Sequence, residues 1–217
     1  IGEQIAESLR WHKGMTAGSA WKRAGELADL VGLGGSQRTL RSYPHELSGG
    51  MKQRAMIAMA VACGPRLLLA DEPTTALDAT IQLQIVQLLH HLRDVLHVAI
   101  LFISHDVRLV RSFADTVSVM YAGRVVETGP RAAVFATPLH PYTHLLLQSL
   151  PSAERRGKPL KAITGRVPDA RDLPAGCAFH PRCPFAVERC RVEDPLVMSG
   201  RDGHVAACHF PEGSWRG

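Results

Sequence analysis

The sequence predicts an α/β fold: a domain built on a largely parallel sheet, followed by an irregular, cysteine-bearing extension. Three observations carry this. Short apolar runs alternate with segments of helical periodicity between residues 67 and 113. Two of those runs end in polar triplets that contain acids, Asp71-Glu72-Pro73 and Ser104-His105-Asp106, where open α/β sheets place ligand-binding groups. From Pro138 onward prolines crowd the chain, and four of the five cysteines fall between Cys177 and Cys208.

The elements follow in order. Residues 1–33 read as helical, with Ile5, Leu9, Ala24, Leu27, Leu30 and Val31 at helical spacing, until Gly32, Gly34 and Gly35 break the pattern. A polar loop containing Pro44 leads to Ser48, which caps a long apolar helix running to about Cys63; Gly64-Pro65 stops it. Residues 67–70 and 98–103 are short apolar runs that read as strands buried on both faces. Between them Ile81, Ile85, Leu88, Leu89, Leu92 and Leu96 line one face of a helix. Val107, Val110 and Phe113 indicate another short helix, and residues 116–121 and 124–128 flank Ala122-Gly123 as a hairpin. The chain divides on this reading into a helical segment 1–65, a core 66–137 and an extension 138–217.

Bulk properties narrow the function classes. With 217 residues, 46% apolar and 21% charged, the chain suits one globular domain with an appendage and not a disordered segment. The net charge of +5 comes from Lys and Arg scattered singly or in pairs, which reads as a solvated surface and not a nucleic-acid face. No apolar stretch reaches the roughly 18 residues needed to span a bilayer, and no signal peptide opens the chain, so it reads as soluble and cytoplasmic. It opens on Ile1 in an already amphipathic segment, the expectation being a chain that begins partway through a longer product.

The chemistry-bearing segments come in a fixed order. In Leu47-Ser48-Gly49-Gly50-Met51-Lys52-Gln53-Arg54, Ser48 caps a helix and the two glycines let a ligand approach the backbone. Free amides and the positive end of the helix dipole favour a phosphate there. Eighteen residues after Ser48, the run Arg66-Leu67-Leu68-Leu69-Ala70 delivers Asp71 and Glu72 to a strand end. Asp71 is placed to hold Mg²⁺, directly or through water, and Glu72 to orient or deprotonate an attacking water. Thr75-Ala76-Leu77-Asp78 follows, and the next strand ends at His105, a residue able to reach a terminal phosphate.

This series resembles the signature, Walker B, D-loop and switch-histidine motifs of ABC ATPases over roughly residues 36–130. The resemblance implies an ABC-type nucleotide-binding domain, that is, a P-loop NTPase-like parallel sheet with a helical signature subdomain, incomplete at its N-terminus. It implies that Ser48, Gly49 and Gly50 contact the γ-phosphate of ATP held by an opposite subunit, with Gln53 supporting that loop. It makes Asp71 the Mg²⁺ acid, Glu72 the catalytic base, Asp78 the residue that communicates across the dimer and His105 the γ-phosphate switch. No GxxxxGK[ST] loop occurs in the 217 residues, nor the glutamine loop or adenine-stacking aromatic of the family. Ile1 to Glu7 resemble the segment after the glutamine loop, which implies N-terminal truncation; a degenerate partner subunit is the alternative.

Cys177, Cys183, Cys190 and Cys208 have the spacing C-x5-C-x6-C-x17-C. Four such thiols suit structural zinc or an iron–sulfur cluster, or remain unliganded; the tighter pairs usual for zinc are missing. Cys63 reads as core. The run from Leu173 to Pro184, with His140-Pro141-Tyr142-Thr143 and Gly165-Arg166-Val167-Pro168, resembles the C-terminal extension of oligopeptide and dipeptide importer ATPases. That resemblance implies a [4Fe–4S] cluster on the four cysteines, and an ATPase energising di- or oligopeptide import. It implies as partners a second ATPase subunit, in a homodimer or heterodimer, transmembrane permease subunits and, indirectly, an extracytoplasmic solute-binding protein, with this chain peripheral at the cytoplasmic face of the membrane. Related nickel or small-solute importers carry a similar extension, and non-transport ABC proteins remain the more distant alternative.

Overall fold

The computed structural model describes residues 1–151, 162–169, 171–195, 197–199 and 202–210. Parts of the predicted extension, 152–161 with Pro159 and 211–217 among them, lie outside the described residues. By internal packing the chain forms two compact units, Ile1–Phe113 and Ala114–Gly217.

In the first unit the predicted single helical stretch is two helices, α1 (Gly2–Lys13) and α2 (Ala17–Leu30). Gly14 ends α1 at φ +63°, a left-handed conformation that costs glycine little, and the Thr16 hydroxyl accepts the Ser19 amide to start α2. A short α3 (Gln37–Arg41) and a 3₁₀ turn (Pro44–Glu46) lead into α4 (Gly49–Val61). Then come β1 (Leu67–Asp71), α5 (Ala79–Leu96), β2 (Ala99–Ile103) and α6 (Val107–Phe113). β1 and β2 pair in parallel, Leu67 opposite Ala99 through Asp71 opposite Ile103, joined by α5 as a crossover. The core gathers Ile5, Leu27 and Val31 from α1 and α2 and its end, Ala58 and Val61 from α4, and Ile85, Leu89 and Leu92 from α5. Arg54 of α4 ties this layer together: its guanidinium donates to the Val31 carbonyl at 2.6 Å and to Gln84 Oε1 at 3.4 Å.

One expectation fails here. The two strands are not buried on both faces. Leu68 and Ala70 are buried, but Leu67 (53%), Leu69 (64%), Leu101 (52%) and Ile103 (46%) are exposed. The register puts these four on one face of the pair, since residues two apart share a face. The described helices of this unit cover only the other face.

The second unit opens with β3 (Thr116–Tyr121) and β4 (Arg124–Pro130), joined through Ala122 and Gly123, both at positive φ as a primed hairpin turn requires. α7 (Arg131–Ala136), α8 (Pro141–Gln148), a 3₁₀ turn at His180–Arg182, α9 (Glu188–Val192), β5 (Val197–Ser199) and β6 (Val205–Ala207) follow. The tail read as irregular thus supplies two strands. They extend the hairpin into a four-stranded antiparallel sheet, order β3-β4-β6-β5, which the sequence pattern does not anticipate. Arg182 fastens the 162–169 segment, donating to the Thr164 carbonyl at 2.9 Å, the Ile163 carbonyl at 3.1 Å and the Tyr121 hydroxyl at 3.3 Å. Among the described residues no helix is long and apolar enough to cross a membrane.

Candidate functional site

Ser48 starts α4 as its cap. Its backbone is extended (φ −65°, ψ 163°), and its Oγ accepts the Met51 amide at 3.3 Å. Gly49 and Gly50 form the first turn, whose amides have no partner within the helix. Their lack of a side chain has a cause inside the chain. A Cβ on Gly49 would lie 3.2 Å from Leu77 Cδ2, and one on Gly50 would lie 2.8 Å from Ile81 Cγ2. Ligand approach, or a plain cap with two loop glycines, is what the sequence predicts for these positions; the packing of Leu77 and Ile81 on them has no local signal. Gln53 lies one turn further along α4, half-buried.

The acids sit where β1 ends. Asp71 is exposed, and Glu72 turns out of the strand at φ +49°, in the left-handed region that side chains rarely adopt. Its amide donates to the Ile103 carbonyl at 3.0 Å, so the turn is tied to the end of β2. That tie brings His105 to Glu72: His105 Nδ1 lies 2.8 Å from Glu72 Oε1. A carboxylate only accepts, so Nδ1 carries the proton. The Thr75 hydroxyl donates to Glu72 Oε2 at 2.5 Å, a partner three residues away that the sequence reading overlooked. The Thr75 hydroxyl, then His105, hold the Glu72 carboxyl below the usual range. The hydrogen bond and charge of Glu72 raise His105 above its ordinary value. Both side chains are solvent-exposed enough to meet a ligand.

Asp78 caps α5, accepting the amides of Thr80 at 3.1 Å and Ile81 at 3.0 Å. The structure therefore joins the predicted residues in two sets. Glu72 pairs with His105 beside Asp71, and the signature glycines pack on the helix that Asp78 caps. No hydrogen bond among the described residues links Ser48 to Glu72 or His105; the Ser48 side chain is taken up by its own helix.

In the second unit all four predicted thiols are free, and Cys177, Cys183, Cys190 and Cys208 line one cavity with His180, His209, Phe179 and Phe185. Burial pushes the Cys177 and Cys208 thiols up, and that of Cys183 up to about 11. The thiols converge, yet among the described residues no three Cys, His, Asp or Glu side chains form a group that could hold a metal ion. The expectation of a [4Fe–4S] cluster on these cysteines therefore finds no support in the geometry of the described residues. Beside the cavity lies a polar knot that no motif or spacing predicts. Glu127 of β4, 1% exposed, accepts the amides of Leu139 at 2.8 Å and His140 at 2.9 Å, and the His204 Nε2–H at 2.7 Å.

Two family models match the chain: "ABC transporter" over residues 2–75, and "Oligopeptide/dipeptide transporter, C-terminal region" over residues 126–190. The chain thus resembles ABC transporter ATP-binding proteins at its N-terminal side and oligopeptide/dipeptide transporters in its C-terminal part. Among ABC relatives, it is 47% identical over 211 residues to the dipeptide transport ATP-binding protein DppD of Escherichia coli (strain K12), covering 97% of this chain. It is 46% identical over 212 residues, covering 98% of this chain, to the oligopeptide transport ATP-binding protein AppD of Bacillus subtilis (strain 168). The chain spans 64% and 65% of the lengths of these two proteins, respectively. Among solved structures, the dimeric post-hydrolysis state of the ATP-binding cassette MJ0796 bound to ADP and Pi aligns at 32% identity with a TM-score of 0.47. That alignment covers 54% of this chain and 49% of that one. The ABC transporter match ends at residue 75, so it takes in Ser48, Gly49, Gly50, Gln53, Asp71 and Glu72 and stops short of Asp78 and His105.

Proposed function

We propose that this chain is part of an ATP-hydrolysing subunit that energises import of di- or oligopeptides through a membrane ABC transporter. The observation that carries this is the Glu72–His105 pair, held beside Asp71 at the edge of a parallel sheet. The match of the second unit to the oligopeptide/dipeptide C-terminal region supports the substrate class.

On this reading residues 1–65 present the signature, 66–137 the acids and the switch, and 138–217 the importer extension. The chain works at the cytoplasmic membrane face with a second ATPase subunit, permease subunits and, through them, a solute-binding protein. Its Ser48, Gly49 and Gly50 face the γ-phosphate of ATP gripped by the opposite subunit, where the first-turn amides of α4 receive negative charge. Glu72 is ionised at neutral pH, and Thr75 and His105 hold its carboxyl lower still. A lowered pKa weakens proton abstraction and favours orienting the attacking water. His105 spends its Nδ1–H on Glu72, and in the protonated ring, which Glu72 favours, Nε2–H is left to donate to a phosphate oxygen. Asp71, exposed beside Glu72, fits a ligand of Mg²⁺, which when bound neutralises phosphate charge.

Four free thiols line one cavity, which supports the reading that Cys177, Cys183, Cys190 and Cys208 would hold a [4Fe–4S] cluster. Burial raises the Cys177, Cys183 and Cys208 thiols, so binding of a metal or cluster there would be coupled to release of their protons. Iron and acid-labile sulfide in anaerobically purified protein support the cluster; stoichiometric zinc without iron overturns it.

The ATPase reading is tested with Glu72→Gln in the complete subunit assembled with its partners. Turnover should fall by about 10²-fold or more while ATP still closes the dimer. Hydrolysis at the unsubstituted rate removes Glu72 from its role, and uptake of nickel but not peptides overturns the substrate class.

A further inference from the structure

Gly50 is the second residue of the helix whose first amides face phosphate on the ATPase reading, and Ile81 stands where its side chain would be. The gap is too small for even a methyl group: a Cβ on Gly50 would stand 2.8 Å from Ile81 Cγ2, against about 3.5–4.0 Å for carbon atoms in contact. Leu77 closes on Gly49 in the same way at 3.2 Å. Ile81 is itself fixed. Its amide is held by Asp78 Oδ1 at 3.0 Å, and a β-branched side chain on a helix has essentially one χ1 rotamer. Three links therefore run from one motif to the other. The Asp78 carboxylate sets the first turn of α5, that turn sets the Ile81 methyl, and the methyl sets how closely the start of α4 can approach.

We propose that Ile81 is a positioning residue for the signature loop, aiming the first-turn amides of α4 from the cap made by Asp78. The proposal rests on the ATPase reading above. It gives Asp78 a task within its own chain, and it assigns Gly50 to an internal packing constraint in addition to room for a ligand. Displacing the first turn of α5 displaces the phosphate-facing amides with it, and a misplacement of about 1 Å costs on the order of 10²-fold in rate.

The test is a double-substitution cycle in the complete subunit and its assembled complex, read by thermal unfolding and by kcat and KM for ATP. Gly50→Ala should lower kcat at least about tenfold, because the new methyl pushes α4 off Ile81. Ile81→Ala should lower kcat about tenfold in protein that remains folded at the assay temperature, with KM within about twofold, since the contact with γ-phosphate is made in the closed state. Ile81→Val keeps Cγ2 and should retain wild-type kcat within about twofold. The decisive variant is Gly50→Ala/Ile81→Ala. Truncating Ile81 makes room for the added methyl, so kcat should recover several-fold over Gly50→Ala and the melting temperature should rise with it. A double variant no better than Gly50→Ala in either readout shows that the glycine serves the ligand only, and overturns the proposal. So does Ile81→Ala with unchanged kcat. An unsubstituted complex that hydrolyses no ATP overturns the ATPase reading instead, and that failure is visible in the control alone.

Discussion

His140 makes the second unit sensitive to acid in a way that can be worked out from its surroundings. It stands at the N-terminus of α8 with 1% of its surface exposed, its ring 5.8 Å from that of Phe179. Its Nδ1 accepts the Tyr142 amide at 3.0 Å, the bond an aspartate or asparagine would make as a helix cap. Only a neutral imidazole offers that lone pair. Burial lowers the ring from 6.5 to about 4. A group lowered on folding contributes stability above its unfolded value and loses it as pH falls through the folded one. The shift is 6.5 − 4, about 2.5 units, and at 1.36 kcal/mol per unit it amounts to about 3 kcal/mol. That contribution should be complete at pH 7 and gone below about pH 4. His140→Asn keeps a capping oxygen and removes the titration. Urea unfolding between pH 7 and 4 should show the unsubstituted protein losing about 3 kcal/mol more than His140→Asn, and the His140 ring should titrate near 4 by NMR. Equal losses in the two proteins, or a ring that titrates near 6.5, refute the argument.

Three further outcomes follow from the same geometry. His105 is raised by Glu72, so its share of the pair's stability is present below about pH 6.5 and lost as pH rises through the raised value; Glu72 is lowered, so its share is present above about 4.5 and lost as pH falls through the lowered value. The pair is therefore complete between those two ordinary values, and Glu72→Gln should drop the His105 pKa towards 6.5 by NMR; an unmoved titration would remove the contact. Glu127→Ala strands two buried amides and His204, and should cost about 3 kcal/mol or more in urea unfolding, with a loss under about 1 kcal/mol contradicting it. Because these 217 residues contain no phosphate-wrapping GxxxxGK[ST] loop, calorimetry on the chain alone should show no micromolar ATP binding.

In the first unit, the features legible in the sequence are those set by near neighbours. Ser48 and Asp78 each bond amides two or three residues on, so a cap before an apolar periodic run suffices to read them. Thr75 was within the same reach of Glu72 and could have been read from its spacing. Ile81 against Gly50 could not: the two are 31 positions apart, and no local rule says which face of one helix meets which residue of another. The strands failed for a different reason. An apolar run such as Leu67-Leu68-Leu69 states that both faces prefer to leave water, but not whether this chain supplies both covering layers. The first unit by itself supplies one, and the outward leucines and Ile103 are exposed.

The second unit shows why a motif can be recognisable long before it is explicable. Glu127 occupies a strand in a segment where a polar residue reads as outward-facing, and only β6 makes it inward. Glu127 lies opposite Ala206, and His204 arrives from 77 residues away. With that strand in place, the His140-Pro141-Tyr142-Thr143 segment acquires a physical reason. A helix beginning in a buried place needs partners for its first donors. Glu127 takes the amides of Leu139 and His140, Pro141 has no amide to satisfy, and His140 Nδ1 takes that of Tyr142. Proline at the first helical position and histidine just before it are thus two parts of one solution, and they require the neutral ring that burial enforces. Thr143 tests how complete that solution is, since its buried hydroxyl has no hydrogen-bond partner among the described residues. Replacing it with valine should therefore be tolerated far better than any change to Glu127, because nothing is left unpaired by removing a group that pairs with nothing.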